Sequence, residues 1–542
     1  MKEQALLGDE AVALGAIHAG LSAAYGYPGT PSTEIMEYLL ANAEKAGRPL
    51  ASWCANEKTA YEEALGASYA GRRALVTMKH VGLNVAADPF VNSGLLDIHG
   101  GFVVAVADDP GMHSSQNEQD SRFYADYAKI MCFEPANQQE AYDMTREAFD
   151  VSEKFHIPVM IRLTTRISHS RAGVATSAPR QENSVTPKPD PKGWVFLPAR
   201  AKASYVRLLE KQNDFLAYSE AVAYNSLKLN PEFSEYGVIT TGLGRNYYLE
   251  NAGELGVKPS HLHIGVYPLP VEKIRKLAAA VKKIIIIEEG MPLVETSLRG
   301  ILPVSLEIRG KKDGLLPPSG ELNPDIVRSA LGLPERPRAA AEAGALKLAN
   351  RPPQLCAGCP HGDTYTVIKN VISGLDSYSL TADIGCYSLG ATPPYSIPET
   401  IVCMGASIGM AKGAAEAGVK HAIAVIGDST FLHSGITPLI DAASRNTPMT
   451  LVILDNSTVA MTGTQETILP SSALVPLIKG IGVDPAHIIT IEAHRKNEKE
   501  NTDILRREAE YQGLSVIIAS RECLEAARTR KKHSAHKEEV PA

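Results

Sequence analysis

The chain has 542 residues, of which 44% are hydrophobic and 21% charged, and its formal net charge is −7. This length allows three or four domains, the composition is typical of a globular protein, and the negative charge gives no general attraction to nucleic acid. The longest apolar runs, such as IIII at residues 284–287, are far shorter than the roughly 18 residues of a membrane span. The N-terminus lacks the apolar core of a signal peptide, so we expect a cytoplasmic location without a membrane or nucleic acid partner.

Residues 1–180 alternate between short apolar runs and helical patterns. The apolar runs end in polar, Gly or Pro breaks, as strands of a covered sheet do. Strands that alternate with helices predict a parallel sheet covered on both faces, so the expected fold class is α/β. Helical spacing is expected over residues 11–25, 56–71 and 138–155, and strands are expected over residues 74–79, 101–108 and 157–163.

Several segments follow this first unit. A Pro-rich stretch opens residues 181–235, which we interpret as a linker and helical bridge. Residues 236–333 form a smaller α/β unit, and residues 334–353 form a second linker. Residues 354–523 hold the predicted strands SYSLTAD, ETIVCM, HAIAVIGD, MTLVILDN and LSVIIAS, and residues 524–542 form a charged tail. Because the first and last α/β units are similar in kind and size, the sequence suggests a duplicated architecture.

Polar side chains follow two of the predicted strands in the last unit. Asp428 comes directly after AVIG, where Gly427 permits a tight turn, and Asn456 follows LVILD. Ligands of parallel α/β sheets bind beyond the carboxyl ends of the strands. Carboxylate, amide and carbonyl oxygens suit Mg²⁺ that is shared with a phosphate-bearing ligand. A Gly-Asp pair alone is common in loops, but the combination of strand, Gly-Asp-Ser, helix, strand and Asp-Asn is much more specific.

This combination resembles the motif shared by thiamine-diphosphate enzymes. In that family the Asp, the Asn and the carbonyl two residues after the Asn hold Mg²⁺ on the diphosphate. The resemblance implies that Asp428, Asn456 and the backbone of Thr458 are the metal ligands here, with Gly427 and Ser429 beside the cofactor. Many members have glycine where this chain has Ser429.

The resemblance also implies a partner domain with a glutamate that protonates the aminopyrimidine ring of the cofactor. Such a carboxyl group needs a mostly apolar setting that raises its pKa. Glu57 opens a predicted helix just after an apparent strand end, and we expect it to be this catalytic, cofactor-binding residue. Glu62 and Glu63 are the alternatives, and they have the pattern of ordinary helix-surface charges.

The wider sequence resembles the 2-oxoacid:ferredoxin oxidoreductases, and within them the large (alpha) subunit of indolepyruvate:ferredoxin oxidoreductase. The resemblance extends from the N-terminus to about residue 520. It implies that residues 1–180 bind the pyrimidine, that residues 354–523 bind the diphosphate, and that residues 236–333 resemble the C-terminal domain of transketolase. The matching stretches are AYGYPGTPSTEI, NEKTAYEEALGASYAG, LVTMKHVGLNVAADP, DDPGMHSSQNEQDSR, LTTRISHSR, CAGCPHGDTY, ADIGCYSLG, MGASIGMAKG and GDSTFLHSGITPLIDA with LDNSTVAMTGTQ.

Further site residues follow from this resemblance alone. Thr30, Asn84 and His113 would face the substrate, although Thr30 also suits a simple turn and His113 also suits an ordinary loop. Cys386 would approach the cofactor. Gly405 opens MGASIGMAKG, whose small residues would let the backbone approach the diphosphate, and close helix packing is the alternative reason for them.

The reaction that the resemblance implies is oxidative decarboxylation of an aryl pyruvate, with coenzyme A as the acyl acceptor. A smaller beta subunit would complete the enzyme as a heterotetramer. The sequence departs from the family at two positions, since Ala357 and Gly362 stand where the family more often has Pro and Arg, and an Arg that contacts coenzyme A or substrate would be missing here.

The cysteines depart further from the family pattern. The large subunit of the family usually ends in a ferredoxin-like domain, whose clusters need runs such as C-x₂-C-x₂-C-x₃-C. The seven cysteines contain no such run, so we expect no iron–sulfur cluster on this chain and electron transfer to a separate ferredoxin-like or flavin protein. Cys356 and Cys359 have the spacing of a metal or redox dithiol, but the absence of a second such pair disfavours zinc.

Two other functions stay open at this point. A non-oxidative thiamine-diphosphate decarboxylase or carboligase would keep Glu57, Asp428 and Asn456 and would need no cluster. A catalytically silent scaffold is the third possibility, and the same three residues argue against it.

Overall fold

Helices and strands alternate along most of the chain in the computed structural model, which describes residues 2–186, 190–336 and 353–538. The described residues fall into two units, one before residue 343 and one from residue 343 onward. The second expected linker, residues 334–353, lies mostly outside the described residues. In the ranges that are described, no helix has both the length and the apolar character needed to cross a bilayer.

The first unit contains fourteen strands and thirteen α-helices among its described residues. Its strands are β1 (Lys2–Leu7), β2 (Ala23–Gly26), β3 (Leu50–Trp53), β4 (Ala74–Lys79), β5 (Phe102–Asp108), β6 (Met131–Phe133), β7 (Val159–Thr164), β8 (Arg171–Thr176), β9 (Ser226–Lys228), β10 (Gly237–Thr241), β11 (Ser260–Ile264), β12 (Val266–Tyr267), β13 (Lys283–Ile287) and β14 (Glu307–Arg309). Its helices are α1 (Gly8–His18), α2 (Thr33–Ala46), α3 (Glu57–Tyr69), α4 (His80–Val85), α5 (Ala87–Ser93), α6 (Arg122–Ala128), α7 (Gln138–Phe155), α8 (Thr165–His169), α9 (Pro198–Ala221), α10 (Gly244–Ala252), α11 (Val271–Ala280), α12 (Leu293–Arg299) and α13 (Pro324–Ala330).

A seven-stranded sheet forms the centre of this unit, in the order β12-β6-β7-β5-β4-β2-β3. All its strand pairs are parallel except β12 with β6. Strands β4, β5 and β7 are buried at every position, as expected for continuous apolar runs in a sheet covered on both faces. The register places Lys79 opposite Ala107 and Asp108 opposite Thr164, so these strands end at one edge of the sheet. The predicted α/β fold class is confirmed.

The smaller α/β segment adds a five-stranded sheet, in the order β14-β13-β10-β11-β9. It does not stand apart from the first sheet, because β12 comes from this segment and pairs with β6. A buried ionic network reinforces the connection. Arg162 is fully buried and contacts Asp108 and Glu134, and it donates to the carbonyl of Glu289 over 3.2 Å.

The predicted helix over residues 11–25 is only partly right. Helix α1 ends at His18, and Gly20 has a φ of +81°, a left-handed conformation that glycine adopts without strain. Residues Ala23–Gly26 then form β2, inside the seven-stranded sheet. Small alanine-rich residues suit a buried helix and a buried strand equally, so periodicity alone did not separate the two.

The Pro-rich stretch after residue 180 packs along the first unit over its described part. Arg72 forms an ion pair with Glu182 at 3.1 Å, and the His99 ring contacts the Thr186 hydroxyl at 2.6 Å. Helix α9 follows within the same segment. This segment is therefore fixed to the sheet unit by specific contacts.

The second unit is built on a six-stranded parallel sheet, in the order β16-β15-β17-β18-β22-β21. Separate apolar clusters cover its two faces. The charged tail that was expected from residue 524 is helical up to residue 538. The strands are β15 (Ser379–Ala382), β16 (Thr400–Ile401), β17 (Ala422–Gly427), β18 (Met449–Asp455), β19 (Thr458–Val459), β20 (Gln465–Glu466), β21 (Ile488–Glu492) and β22 (Leu514–Ser520), and the helices are α14 (Pro360–Ile372), α15 (Ala406–Glu416), α16 (Asp428–Thr430), α17 (Ile436–Ser444), α18 (Leu474–Ile481), α19 (Glu498–Ala509) and α20 (Leu524–Glu538).

Candidate active site

The ends of β17 and β18 bring the predicted metal ligands to one edge of the second sheet. The two strands are neighbours, with Gly427 opposite Leu454, so Asp428 and Asn456 leave the sheet side by side. Asp428 is 5% exposed, and its Oδ1 and Oδ2 atoms accept hydrogen bonds from the N–H groups of Ser429 (2.8 Å) and Ser457 (2.7 Å). Burial is the largest effect on this carboxyl group and raises its pKa to about 7.

Asn456 is held by two side-chain contacts. Its Oδ1 accepts a hydrogen bond from the N–H of Thr458 at 3.2 Å, and its Nδ2 lies 3.1 Å from Nε2 of His361. Burial lowers the pKa of His361 to about 4, so this imidazole is neutral near pH 7 and can accept from the amide. The contact fixes the amide orientation and leaves its oxygen on the side of Thr458.

The surroundings of Asp428 fit a magnesium–diphosphate group. Asp428 offers a carboxylate and Asn456 an amide oxygen, both hard donors of the kind that Mg²⁺ prefers. The Ser429 hydroxyl is buried and has no hydrogen-bond partner among the described residues. Such groups are rare in folded proteins, and an incoming diphosphate oxygen would satisfy this one.

Two glycines of the predicted cofactor site lie in crowded surroundings. A Cβ atom on Gly427 would lie 2.7 Å from the Tyr387 ring, and one on Gly405 would lie 2.6 Å from the Cβ of Ser434. Gly405 also has a φ of +89°. The N–H of Ser407, in the first turn of α15, already donates to Asp383 at 2.9 Å. These contacts support close packing as one reason for the small residues at the start of α15.

Four of the seven cysteines come together in the second unit, which sequence spacing did not predict. Burial, and after it the nearby thiols of Cys359, Cys523 and Cys356, raise the pKa of the Cys386 thiol to about 12. The segments that carry them are also joined by hydrogen bonds. Arg521 donates to the carbonyl of Gly358 at 2.6 Å, and the N–H of Cys523 donates to the carbonyl of Asn456 at 3.2 Å.

The order of the strands in the sheet, and not the spacing of the cysteines in the sequence, could have predicted this cysteine set. Cys386 follows β15 and Cys523 follows β22, two parallel strands of the same sheet. Cys359 is the residue just before α14, and its thiol interacts with the N–H groups of the first helical turn. A search for closely spaced cysteines misses a set that the carboxyl edge of a sheet assembles.

Glu57 occupies the position that the sequence predicts, at the first residue of α3 and after β3. The Asn56 side chain caps this helix by accepting from the N–H of Thr59 at 2.9 Å. Glu57 is 5% exposed, and its carboxylate lies so close to α4 that a Cβ on Gly82 would come within 2.6 Å of Oε1. The alternatives Glu62 and Glu63 are exposed on the helix surface.

Lys79 is a site residue that the sequence analysis missed. It ends β4, it is 8% exposed, and its Nζ atom donates to the carbonyl of Ser114 at 3.1 Å. Burial lowers its pKa to about 8, while the carboxylates of Asp109 and Glu57 act in the opposite direction. A positive charge therefore lies beside Glu57 at the carboxyl edge of the sheet. A lysine that ends an otherwise apolar strand run was the available signal.

Of the three predicted substrate residues, Thr30 is linked to Lys79 through Ser114, which contacts both residues. The carbonyl of Thr30 accepts from the Ser114 hydroxyl at 3.1 Å, and Gly29, beside it, packs against the Lys79 alkyl chain. Asn84 is on α4 and accepts from the Tyr124 hydroxyl at 2.6 Å.

The third predicted substrate residue, His113, is exposed, and its ring already contacts an acidic side chain. Its Nε2 atom lies 3.2 Å from a carboxylate oxygen of Glu321. This contact is what the interpretation of His113 as a satisfied loop histidine predicts.

Comparison with known proteins defines the class. Residues 14–200 match the family described as pyruvate flavodoxin/ferredoxin oxidoreductase, thiamine diP-binding, and residues 383–518 match the C-terminal TPP-binding domain of thiamine pyrophosphate enzymes. The fold is similar to that of 2-oxoglutarate:ferredoxin oxidoreductase from Magnetococcus marinus, with a TM-score of 0.50 and 17% identity over 61% of this chain and 65% of that one. The two matches define the class: the chain is built from thiamine-diphosphate-binding domains.

Relatives that match most of the chain assign it to a particular family. The indolepyruvate oxidoreductase subunit IorA of Archaeoglobus fulgidus is 39% identical, over 96% of this chain and 86% of the relative. The subunit of the same name from Methanothermobacter thermautotrophicus is 35% identical over the same shares. The chain belongs to the family of indolepyruvate oxidoreductase subunit IorA, which confirms the family, the enzyme class and the fold class predicted from the sequence.

Proposed function

We propose that the chain is the catalytic alpha subunit that oxidatively decarboxylates an aryl pyruvate, of the indolepyruvate type, to an acyl-coenzyme A. The observation that carries this proposal is the pairing of Asp428 and Asn456 beside the Ser429 hydroxyl, which has no hydrogen-bond partner within the described ranges. The names of the relatives support the indole-type substrate. The solved 2-oxoglutarate:ferredoxin oxidoreductase has coenzyme A bound, which supports the acyl acceptor.

The second unit would hold the diphosphate end of the cofactor. Asp428, Asn456 and the backbone carbonyl of Thr458 would ligate Mg²⁺, and the Ser429 hydroxyl would donate to a diphosphate oxygen. Cys386 and the backbone at Gly405 and Gly427 would line the same region. Thiamine diphosphate, when bound, supplies a carbon nucleophile that stabilises the electron pair left after loss of CO₂.

The first unit would act on the other end of the cofactor through Glu57. This carboxyl group would hold a proton on one oxygen and share it with the pyrimidine ring, as general acid–base catalysis requires. Its place at the buried start of α3, against Gly82, supports that role because the side chain has little room to turn away.

Lys79 would bind the carboxylate of the 2-oxo acid. A buried ammonium group is destabilised by desolvation, and a bound anion offsets that penalty. Thr30 would hydrogen-bond the keto oxygen through its hydroxyl, with Asn84 farther along the substrate. The contacts of Ser114 with both Lys79 and Thr30 support this grouping.

The cysteine set suggests a route for the electrons. The thiols of Cys356, Cys359 and Cys523 all act on that of Cys386, and four thiolates are the ligand set of an iron–sulfur cluster, so these four cysteines would hold one. This proposal replaces the expectation that the chain carries no cluster. A bound cluster supplies one-electron redox chemistry. We further propose a smaller beta subunit in a heterotetramer and a separate ferredoxin-like or flavin protein as the next carrier.

One experiment separates this proposal from a non-oxidative decarboxylase or carboligase. The chain is purified anaerobically with its natural partners and supplied with indolepyruvate or phenylpyruvate, coenzyme A and a viologen dye. Dye reduction that depends on coenzyme A supports the oxidative reaction, whereas aldehyde release without dye reduction supports the alternative. Full activity of the Asp428→Ala variant would overturn the thiamine-diphosphate assignment.

A further inference from the structure

A second group of potential metal ligands lies in the first unit, outside the proposed catalytic residues. It consists of Asp9 in the first turn of α1, Glu34 in the first turn of α2 and His169 at the end of α8. One ligand atom of each residue lies within 4.8 Å of those of the other two. Nε2 of His169 lies 3.3 Å from Oε2 of Glu34.

Asp9 provides an independent reason to expect a ligand here. Its side chain is fully buried, and neither carboxylate oxygen has a hydrogen-bond partner among the described residues. The nearby hydroxyl of Ser168 is also buried and makes no hydrogen bond of ordinary geometry within the described part of the chain. Buried carboxylates are almost always paired, hydrogen-bonded or bound to a metal, and in the part of the chain that the structure describes Asp9 has neither an ion-pair nor a hydrogen-bond partner.

We propose that Asp9, Glu34 and His169 bind a divalent transition-metal ion. Two carboxylates would neutralise its charge, and the neutral imidazole would be the third ligand. This mixed donor set fits Zn²⁺, Mn²⁺, Fe²⁺ or Co²⁺ better than Mg²⁺ or Ca²⁺, which prefer oxygen alone. Three protein ligands leave a position for water.

The exposure of the three residues gives the ion a path to the site. The side chains of Glu34 and His169 are each 34% exposed, whereas Asp9 forms the closed end. The ion would join α1, α2 and α8. Helix α2 starts three residues after Thr30, so the ion would also fix the helix that follows the proposed substrate loop.

The competing explanation is a protonated Asp9 beside a Glu34–His169 ion pair. Burial does raise the pKa of Asp9 well above its usual range. That arrangement needs no ion, so the two explanations differ in metal content and in metal-dependent stability.

The test uses the tag-free enzyme purified with its partners and stripped of loosely bound metal. Co²⁺ is then titrated into wild type, Asp9→Asn, Glu34→Gln and His169→Gln, with Glu44→Gln as the control, since Glu44 is an exposed residue of the same helix α2. Visible absorption reports the ligands, because thiolate-bound Co²⁺ gives intense charge-transfer bands and nitrogen–oxygen ligation does not. Thermal unfolding is measured with and without Zn²⁺.

We expect wild type and the Glu44 variant to bind one more equivalent of Co²⁺ than the three ligand variants, without added thiolate bands. Affinity at this site should fall by at least roughly 100-fold in each variant. Zn²⁺ should raise the Tm of wild type more than that of His169→Gln, whose partly exposed position favours normal folding. Equal metal content in wild type and His169→Gln would overturn the proposal, as would unchanged Zn²⁺ stabilisation. Neither result depends on the thiamine-diphosphate reaction, and Asp428→Ala should keep the extra equivalent.

Discussion

The Oδ2 atom of Asp428 accepts a hydrogen bond from the backbone N–H of Ser457 over 2.7 Å, and this contact joins the ends of two neighbouring parallel strands. Ser457 has a φ of +61°, so the chain turns sharply between Asn456 and Thr458. The turn presents the Asn456 side chain and the Thr458 backbone at the same strand end as the carboxylate.

Cofactor binding should depend on the ionisation of Asp428. Because its pKa is about 7 in the folded protein, Mg²⁺-dependent binding of thiamine diphosphate should weaken by about tenfold for each pH unit below that value. Calorimetric titration between pH 5.5 and 8 measures this. The Asp428→Asn variant should bind weakly at every pH, and a wild-type affinity that does not change with pH would contradict the assignment.

The stability of the cofactor-free protein should change with pH in the opposite sense. A carboxyl group with a raised folded-state pKa binds its proton more tightly in the folded than in the unfolded state. The Asp428 contribution is therefore complete below about pH 4 and is lost progressively as the pH rises to about 7. The difference in Tm between wild type and Asp428→Asn, measured across this range, isolates the effect.

Replacing Glu57 by glutamine should lower kcat by roughly 10²–10⁴-fold, because general acid–base catalysis contributes that much. Thiamine-diphosphate affinity should change far less, since the proposed diphosphate ligands are intact. The matched controls are Glu62→Gln and Glu63→Gln on the exposed surface of the same helix. Equal loss of activity in a control variant would remove the special role of Glu57.

Lys79→Met should raise KM for the 2-oxo acid by roughly 10- to 100-fold, the range expected for a lost hydrogen bond between charged groups. The KM of wild type should also rise above about pH 8, where Lys79 loses its charge. Steady-state kinetics across pH 6.5–9.5 test both effects. Lys58→Met, an exposed position on α3, is the control and should leave KM unchanged.

Cys386→Ser and Cys523→Ser should each lower the iron and acid-labile sulfide content of anaerobically purified protein. Their thiols belong to the cysteine set of the second unit, whereas Cys403 is exposed and is not among the thiols that raise the pKa of Cys386. Cys403→Ser is therefore the control. Iron analysis and electron paramagnetic resonance of the reduced protein provide the measurement, and unchanged iron content in both variants would contradict the proposed cluster.

Much of the fold was readable from the sequence because the buried strands are continuous apolar runs. Strands β4, β17, β18 and β22 lie where such runs predict them. The start of β2 was missed since its small residues extend the pattern of α1. The pairing of β12 with β6 was also beyond prediction, because a two-residue strand carries no periodicity.

The candidate site likewise contains some residues that the sequence predicts and others that only the fold brings together. Asp428, Asn456 and Glu57 stand at breaks between elements, where polar residues are informative. Lys79 ends an apolar run, and a polar residue at that position commonly marks only the end of a strand. The four cysteines and the Asp9, Glu34 and His169 group are assembled from distant segments, and only the strand order brings their members together.

The pairing of β12 with β6 has a consequence for how this polypeptide can be divided. A fragment that stops at residue 235 would lose β12 and expose the backbone of β6 as a sheet edge, a known cause of aggregation. It would also remove the contact of Arg162 with the carbonyl of Glu289, while the guanidinium charge of Arg162 would stay buried. A gene split between codons 337 and 352 would leave the β6–β12 pair and the ionic network on one polypeptide. We therefore expect the first half to stay soluble when the break lies there, and to precipitate when it follows residue 235.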